Sequence, residues 1–230
     1  MTKEVSELIE AARDLSIELS ETRASGLIEY LNILETTNRS FNLTRIPRAD
    51  YLSLHLLDSL TAMQFIEPAP TLRILDIGTG AGFPGVPLAA ALPQAQVTLL
   101  DSTAKKVRFA HENAHACGIM NCSGIHARAE KIARNKAHRE RYDVVVSRAV
   151  AAFDTLIELM LPLTAVGGRA IALKGARYEE ELRGVENLVK DLGGAPPRVH
   201  TVNLPGTSIT RFLIVVDKIR VTPTAFPRTK

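Results

Sequence analysis

The sequence has few of the residues that build disulfide-rich, metal-binding or membrane proteins. Its only cysteines are Cys117 and Cys122, too few and wrongly spaced for a disulfide framework or a thiolate metal site. Free thiols in a reducing compartment are therefore expected. No apolar run reaches the roughly 18 residues that a membrane-spanning helix needs. The first residues contain no apolar signal core, so we expect a cytoplasmic protein.

Aromatic residues and metal-ligand clusters are also scarce. Aromatics make up 5% of the chain, and tryptophan is absent. This scarcity argues against an extended platform on which successive nucleic-acid bases stack. The six histidines are scattered along the chain, as are the carboxylates that could join them, so no metal cofactor is expected.

The sequence does contain enough apolar residues for a core, together with an uneven excess of positive charge. Hydrophobic residues make up 46% of the 230 residues, and the net charge is +3. This mild excess permits a nucleic-acid partner without establishing one. The cations concentrate in two segments, 105–108 and 128–141. Such a segment is either a solvated face or a surface for RNA.

Two patterns divide the chain near residue 70. Before it, apolar residues recur at helical spacing, and a further helix is predicted from about Ala49 to Phe65. After it, strand and helix patterns alternate. The strand candidates are Arg73–Ile77, Gln96–Asp101, Ser123–Ala127, Asp143–Ser147, Arg169–Lys174, Arg198–Leu204 and Arg211–Asp217. We predict a helical N-terminal extension (1–70) and an α/β domain (71–230) within one compact unit.

The order of the predicted strands indicates the kind of sheet. The early strands are short continuous apolar runs, as in parallel strands that are covered on both faces. The last two are separated only by a turn at Pro205-Gly206, which suits a hairpin and not a parallel crossover. We therefore predict a mostly parallel seven-stranded sheet with an antiparallel strand at the C-terminal end.

A glycine-rich turn between the first strand and the next helix predicts a cofactor site. Gly78, Gly80 and Gly82 allow a tight turn and close approach of a ligand to the backbone. Asp101 ends the second strand, 19 residues after Gly82, close to the roughly 20 expected for an acid that binds ribose hydroxyls. The same arrangement serves nicotinamide dinucleotides and S-adenosylmethionine.

The position of the glycines favours S-adenosylmethionine. Although Gly80 to Gly85 matches the dinucleotide pattern GxGxxG, Gly78 already closes the strand, so Gly80 lies within the turn. Asp76, two residues earlier, suits the amino-acid end of S-adenosylmethionine, or it serves as a structural cap. A nicotinamide-binding redox regulator remains the alternative.

Seven motifs in fixed order resemble the bacterial small-subunit rRNA guanine-N7 methyltransferases called RsmG or GidB. The resemblance spans about residues 27 to 217. It departs from the family at Ala81 and Phe83, where proline and leucine are usual, and at Thr37-Asn38, where an aromatic-Asn pair is usual. The motifs are Asn42-Leu-Thr44, His55-Leu-Leu-Asp58-Ser59, Asp76 to Gly85, Thr98-Leu-Leu-Asp-Ser102, Lys106-Val-Arg-Phe109, Ser147-Arg-Ala149 and Ala172-Leu-Lys-Gly175.

The resemblance implies a class I S-adenosylmethionine-dependent methyltransferase with a Rossmann-like fold. It implies methylation of N7 of one guanosine in the decoding-region loop of 16S rRNA, alone or in the small-subunit ribonucleoprotein. We predict no stable protein partner and expect a monomer. A same-fold methyltransferase for another RNA site or a small acceptor is the alternative. The implied cofactor-binding residues are Asp76, Gly78, Gly80, Gly82, Phe83, Asp101, Ala129, Glu130 and Arg148.

The absence of a recognisable general base agrees with N7 as the acceptor. Guanine N7 has a free lone pair and no proton to lose, so its methylation needs alignment more than proton transfer. By resemblance, Arg148 contacts the cofactor or positions the target base, and the alternative is a phosphate anchor or a salt bridge. His55 and Asp58 share a helix face and pack over the cofactor pocket by resemblance, or form a structural pair. Candidate RNA contacts are Arg45, Lys106, Arg134, Arg139 and Lys174.

Overall fold

The computed structural model describes residues 1–148 and 151–228. Seven strands form one sheet: β1 (Arg73–Ile77), β2 (Gln96–Asp101), β3 (Cys122–His126), β4 (Tyr142–Arg148), β5 (Thr164–Lys174), β6 (Arg198–Asn203) and β7 (Thr210–Asp217). Their order across the sheet is β3-β2-β1-β4-β5-β7-β6. The first five strands pair in parallel, whereas β7 runs antiparallel to both of its neighbours. The predicted α/β fold, a mostly parallel sheet with an antiparallel C-terminal strand, is confirmed.

The fifth strand is longer than predicted. It begins at Thr164, not Arg169, and it passes through Gly167 and Gly168. A glycine pair is typical of a turn, which explains the late predicted start. Here the backbone at this pair instead exchanges hydrogen bonds with Lys218, beyond the end of β7.

The α-helices lie on both faces of the sheet and before it. They are α1 (Lys3–Asp14), α2 (Glu21–Asn38), α3 (Asp58–Leu60), α4 (Gly85–Ala91), α5 (Ala104–Ala116), α6 (Ala129–Arg134), α7 (Phe153–Met160), α8 (Tyr178–Leu182) and α9 (Glu186–Asp191). Thr2 and Ser20 cap α1 and α2, each accepting a hydrogen bond from a backbone N–H three residues later. None of the helices in the described parts of the chain has the length and apolarity to cross a bilayer.

The helix predicted from Ala49 to Phe65 is irregular. A π-helical stretch (Leu52–Leu57) precedes α3, and 3-10 turns lie at Arg48–Asp50 and Thr61–Phe65. Apolar periodicity does not reveal such a change of winding. A π-helical stretch frequently accompanies a functional site, and this one lies beside the cleft described below.

Two apolar clusters cover the two faces of the sheet. One joins Leu8 of α1 and Leu31 of α2 to Ile74 and Val97 of the sheet. The other packs side chains of α7 and α9 against the opposite face. The N-terminal helices therefore form a layer on the sheet, which brings α2 against the glycine-rich turn.

Candidate active site

The turn after β1 takes the conformation that its glycines predict. Gly78 and Gly80 have positive φ angles, 71° and 58°, which favour glycine. The Gly78 N–H donates to Leu100 O at 2.8 Å, and the Gly80 N–H donates to Asp101 Oδ2 at 3.1 Å. The turn is thus fixed to the end of β2, and both glycines line the two cavities described below.

Gly82 is needed for a different reason from the predicted one. A Cβ at this position would lie 2.3 Å from the Tyr30 hydroxyl and 2.9 Å from a methyl group of Val86. The Tyr30 hydroxyl also donates to Ala81 O at 2.8 Å. Gly82 therefore permits close packing of the turn on α2, while its predicted contact with a cofactor stays a prediction. Tyr30 was not predicted, because only the fold brings α2 to the turn.

Asp76 lies fully buried beneath the turn. Its Oδ2 accepts a hydrogen bond from the Gly85 N–H at 2.8 Å, at the start of α4, and its Oδ1 has no partner among the described residues. Burial raises the pKa of this carboxyl to about 6, against the opposing effects of Thr79 and the Gly85 amide. Asp76 thus supports the turn from below, while its predicted contact with a cofactor stays a prediction.

A first cavity of about 360 Å³ opens at the carboxyl ends of β1, β2 and β3. Asp101 lies in its wall, where its Oδ1 accepts from the Thr103 N–H at 2.8 Å. Ala129 and Glu130 at the start of α6 line the same cavity, as do Lys106 and Arg148. The structure therefore brings together the residues predicted for the ribose and the adenine edge.

A second cavity of about 470 Å³ adjoins the first and shares Gly78, Gly80, Lys106 and Arg148 with it. Phe83 belongs to this second cavity, on the side away from Asp101. The ring of Phe83 stacks on the imidazole of His55, with centroids 4.3 Å apart, and the Arg148 guanidinium lies 5.4 Å from the Phe83 centroid.

Arg148 is held by the irregular helical segment. Its Nη1 donates to Leu54 O at 2.7 Å and to Asp58 Oδ2 at 3.1 Å, and its Nη2 donates to His55 Nδ1 at 3.0 Å. The other oxygen of Asp58 accepts from Arg211 Nε at 2.8 Å. One buried carboxylate therefore joins two arginines, and the predicted salt-bridge alternative for Arg148 is realised alongside its place in the cleft wall.

His55 is a neutral connector in this cluster. Burial, and then the charge of Arg148, lowers its pKa to about 3. Because Nδ1 accepts from Arg148, the proton lies on Nε2, which donates to the Thr44 hydroxyl oxygen at 3.1 Å. Asn38 in turn fixes the backbone around Thr44, with Oδ1 accepting from two N–H groups. The departure at Thr37-Asn38 thus keeps the asparagine that shapes this turn.

Arg211 was not among the residues predicted for the site, although the strand directions indicate its place. It lies near the start of β7, and an antiparallel strand begins where its parallel neighbour ends. A cation near the start of β7 therefore reaches the same edge of the sheet as Lys174 at the end of β5. Recognising the antiparallel strand was sufficient to place Arg211 at the cleft.

The predicted RNA-contact residues fall into separate groups. Arg45 is exposed, and Lys106 is half-buried between the two cavities. The Lys174 ammonium is buried, donating to Ala151 O and to Glu181 Oε2, each at 2.6 Å. Lys174 is therefore part of the cleft wall and not of an outer phosphate-binding surface.

Arg134 and Arg139, both predicted to contact RNA, donate hydrogen bonds to the C-terminal segment. Arg139 donates to four backbone carbonyl oxygens at 2.9–3.0 Å, three of them in the segment 222–226. Arg134 donates to Pro227 O. The Arg139 guanidinium, with both terminal nitrogens donating to carbonyl oxygens, has little capacity left for a phosphate. Arg134 is exposed and makes one such bond, so its predicted contact with RNA stays a prediction.

The described residues at the end of β4 include no recognisable base. The Ser147 hydroxyl is buried and donates to Ile77 O at 2.8 Å. Ala149, the last residue of the Ser147-Arg-Ala motif, lies outside the described residues. Across residues 1–148 and 151–228, no three histidine, cysteine or carboxylate side chains are grouped to hold a metal ion.

Comparison with protein families gives one clear match. A family model described as GidB, rRNA small subunit methyltransferase G, matches residues 23–209. A ribosomal RNA small subunit methyltransferase G from Alkaliphilus oremlandii is 42% identical over 96% of this chain and 93% of its own length. A protein of the same name from an Exiguobacterium species is 40% identical over 97% of this chain and 94% of its own length.

Solved structures show the same fold at low sequence identity. The 16S rRNA (adenine(1408)-N(1))-methyltransferase from Catenulisporales acidiphilia aligns with a TM-score of 0.52 at 15% identity, covering 66% of this chain and 87% of that one. TrmN from Thermus thermophilus also aligns with a TM-score of 0.52, at 21% identity, covering 73% of this chain and 53% of that one. These likenesses bear on the fold alone.

Proposed function

The chain belongs to the GidB family, rRNA small subunit methyltransferase G, and on this basis we propose that it transfers a methyl group from S-adenosylmethionine to N7 of one guanosine in 16S rRNA. The target lies in the decoding-region loop, and the substrate is the free rRNA or the small-subunit ribonucleoprotein. The observation that carries this proposal is the pair of adjoining cavities that meet at Gly78, Gly80 and Arg148.

The first cavity suits the adenosine part of the cofactor. The Asp101 carboxylate would accept hydrogen bonds from the ribose hydroxyls, and the start of α6 at Ala129 and Glu130 would meet the adenine edge. The amino-acid part would extend past Gly78 and Gly80 toward the second cavity. When bound there, the cofactor supplies an electrophilic methyl group on a sulfonium.

The residues of the second cavity suit an acceptor that needs no base. His55 is neutral, buried and hydrogen-bonded through both ring nitrogens, so it is not poised to take a proton. Arg148 is held on three protein acceptors and serves to shape the cavity. The chain's contribution is therefore alignment of an acceptor that attacks with its own lone pair, as guanine N7 does.

The charge around the opening suits an RNA backbone. Arg45 and Lys105 are exposed and Lys106 is half-buried, and Lys106 lines both cavities. Phosphate contacts of this kind position a nucleic acid without reading its sequence. We expect a monomeric cytoplasmic enzyme that binds one splayed-out base.

The test is the site of methylation. The purified protein is incubated with labelled S-adenosylmethionine and 16S rRNA, or the small subunit, from a strain that lacks this enzyme. Nuclease digestion with mass spectrometry then locates the methyl group. We expect one 7-methylguanosine in the decoding-region loop. Methylation of another atom or another RNA would overturn the proposal, as would tight binding of NAD without binding of S-adenosylmethionine.

A further inference from the structure

A third cavity of about 610 Å³ continues the cleft beyond β5. It shares Leu173, Lys174 and Gly175 with the second cavity. Its lining combines the small residues Ala151, Ala152, Gly175 and Ala176 with the charged side chains of Arg177 and Glu180 and the ion pair described next. The cleft thus runs from Asp101 past Arg148 to Lys174, and it widens where small side chains leave space for a flat group.

Lys174 and Glu181 form an ion pair in the wall of this third cavity. The Lys174 side chain is only 5% exposed, and two of the three N–H groups of its ammonium donate to Ala151 O and Glu181 Oε2. Glu181 is 28% exposed. Among the described residues, the third N–H of Lys174 and the Oε1 of Glu181 have no partner. A donor and an acceptor therefore lie side by side at the edge of the cleft.

Building on the proposed function, we infer that this pair reads the Watson–Crick edge of the target guanine. Lys174 lines both the second and the third cavity, whereas Glu181 lines the third and not the second. Lys174 is thus the nearer of the two to the cofactor. In a guanine whose N7 faces the methyl donor, O6 lies next to N7, while N1–H and the N2 amine lie farther away. Lys174 donates to O6, and Glu181 accepts from N1–H and the N2 amine.

The order of donor and acceptor excludes adenine. In the same pose, adenine places its N6 amine against the Lys174 ammonium, donor against donor. Its unprotonated N1 then faces the Glu181 carboxylate, acceptor against acceptor. A buried polar group left without a partner weakens binding strongly, so the pair selects guanine both by attraction and by repulsion of its competitor.

The carboxylate also suits the charge that develops during the reaction. The bond from carbon to sulfur breaks as the bond from N7 to carbon forms, and sulfur keeps the electron pair as a neutral thioether. No proton leaves, and the purine becomes cationic. The N1–H becomes more acidic as this charge grows, so its hydrogen bond to Glu181 is stronger in the transition state than in the ground state.

The test compares guanosine with inosine, which lacks the N2 amine, at the mapped position of the rRNA. We expect Glu181→Ala to lower methyl transfer to guanosine by about 10- to 100-fold, and Glu181→Gln to lower it less. Affinity for S-adenosylmethionine stays within about twofold. Glu179→Ala, on the same helix and outside the cavity lining, removes the same charge and keeps the wild-type rate.

The ratio of the two substrates separates reading of the base from a structural role. Wild type is expected to methylate guanosine about tenfold faster than inosine, whereas Glu181→Ala treats the two alike. A variant that slows on both substrates by the same factor would overturn the inference while leaving the proposed function intact. Absence of any methylation of RNA by wild type would overturn both.

Discussion

The two ends of the cleft are built in different ways. The end that we propose binds the cofactor, called the cofactor end, consists of short motifs at the ends of β1, β2 and β3, where backbone N–H groups donate to Asp101. The end that we propose binds the acceptor, called the acceptor end, consists of side chains from distant segments, with Asp58 joining Arg148 and Arg211. The cofactor end depends on backbone conformation, and glycines in a sequence indicate where an unusual conformation is required. The acceptor end depends on register and packing across the whole fold.

The largest expected effect tests the cofactor end alone. Asp101→Ala removes the carboxylate that would accept from the ribose, so we expect affinity for S-adenosylmethionine to fall by about 100-fold or more. Titration calorimetry measures it. Asp101→Asn, which keeps one acceptor oxygen, should lose less. Unchanged affinity in the alanine variant would place the ribose elsewhere and remove the basis for describing this end as a cofactor site.

The next prediction tests whether the cofactor end is as local as its motifs suggest. Gly82→Ala forces alanine into a φ of 94° and places its Cβ 2.3 Å from the Tyr30 hydroxyl, so we expect a loss of about 3–4 kcal/mol in the free energy of unfolding. Urea denaturation measures it. Gly80→Ala is the matched control, since its Cβ would meet only Gly78 O, at 3.8 Å.

Removing the Tyr30 hydroxyl separates the contact from the backbone strain. In a Tyr30→Phe background, Gly82→Ala should cost at least about 1 kcal/mol less than in wild type, because the nearest atom with which its Cβ collides is gone, while the contact with Val86 remains. Additive losses would mean that the turn does not depend on α2. The contrast between a local cofactor end and a long-range acceptor end would then be sharper than the structure indicates.

A third prediction concerns a substitution that disrupts the acceptor end. Asp58→Ala leaves Arg148 and Arg211 without their shared carboxylate, and the exposed fractions of these arginines, 15% and 24%, allow partial relief by water. We expect a loss of about 2–3 kcal/mol in the free energy of unfolding and at least a tenfold lower kcat. Affinity for S-adenosylmethionine should change far less. A loss of cofactor binding equal to that of Asp101→Ala would show that the two ends are not separable.

The same division explains what could be predicted from the sequence. The strands follow from short apolar runs. The turn follows from closely spaced glycines, and Asp101 follows from its place at the end of the second strand. The ion pairs around Asp58 do not, because Arg211 follows it by more than 150 positions and reaches it only when β7 runs antiparallel. Likewise, Arg139 forms part of a basic run in the sequence, whereas in the fold its guanidinium donates to four backbone carbonyls.

The smallest expected effect concerns the pH dependence of the acceptor end. The pKa of His55 is lowered from 6.5 to about 3, so the unfolded chain binds a proton more readily than the folded one. The contribution of neutral His55 to the unfolding free energy is fully present above pH 6.5 and is lost as pH falls toward 3. Between pH 7.5 and 5, wild type should therefore lose about 1–2 kcal/mol more unfolding free energy than His55→Gln, whose amide can accept from Arg148 and donate to Thr44 without titrating.

Wild type has to be compared with His55→Gln because Asp76 changes the unfolding free energy with pH in the opposite direction to His55. The pKa of Asp76 is raised to about 6, so its contribution is present at low pH and is lost as pH rises through 6. That contribution is common to wild type and His55→Gln, and it cancels in the difference between their urea denaturation curves. Equal pH dependence of the two proteins would mean that His55 is protonated as readily in the folded state as in the unfolded chain. Its Nδ1 could not then accept from Arg148, and the acceptor end would need a different hydrogen-bond arrangement.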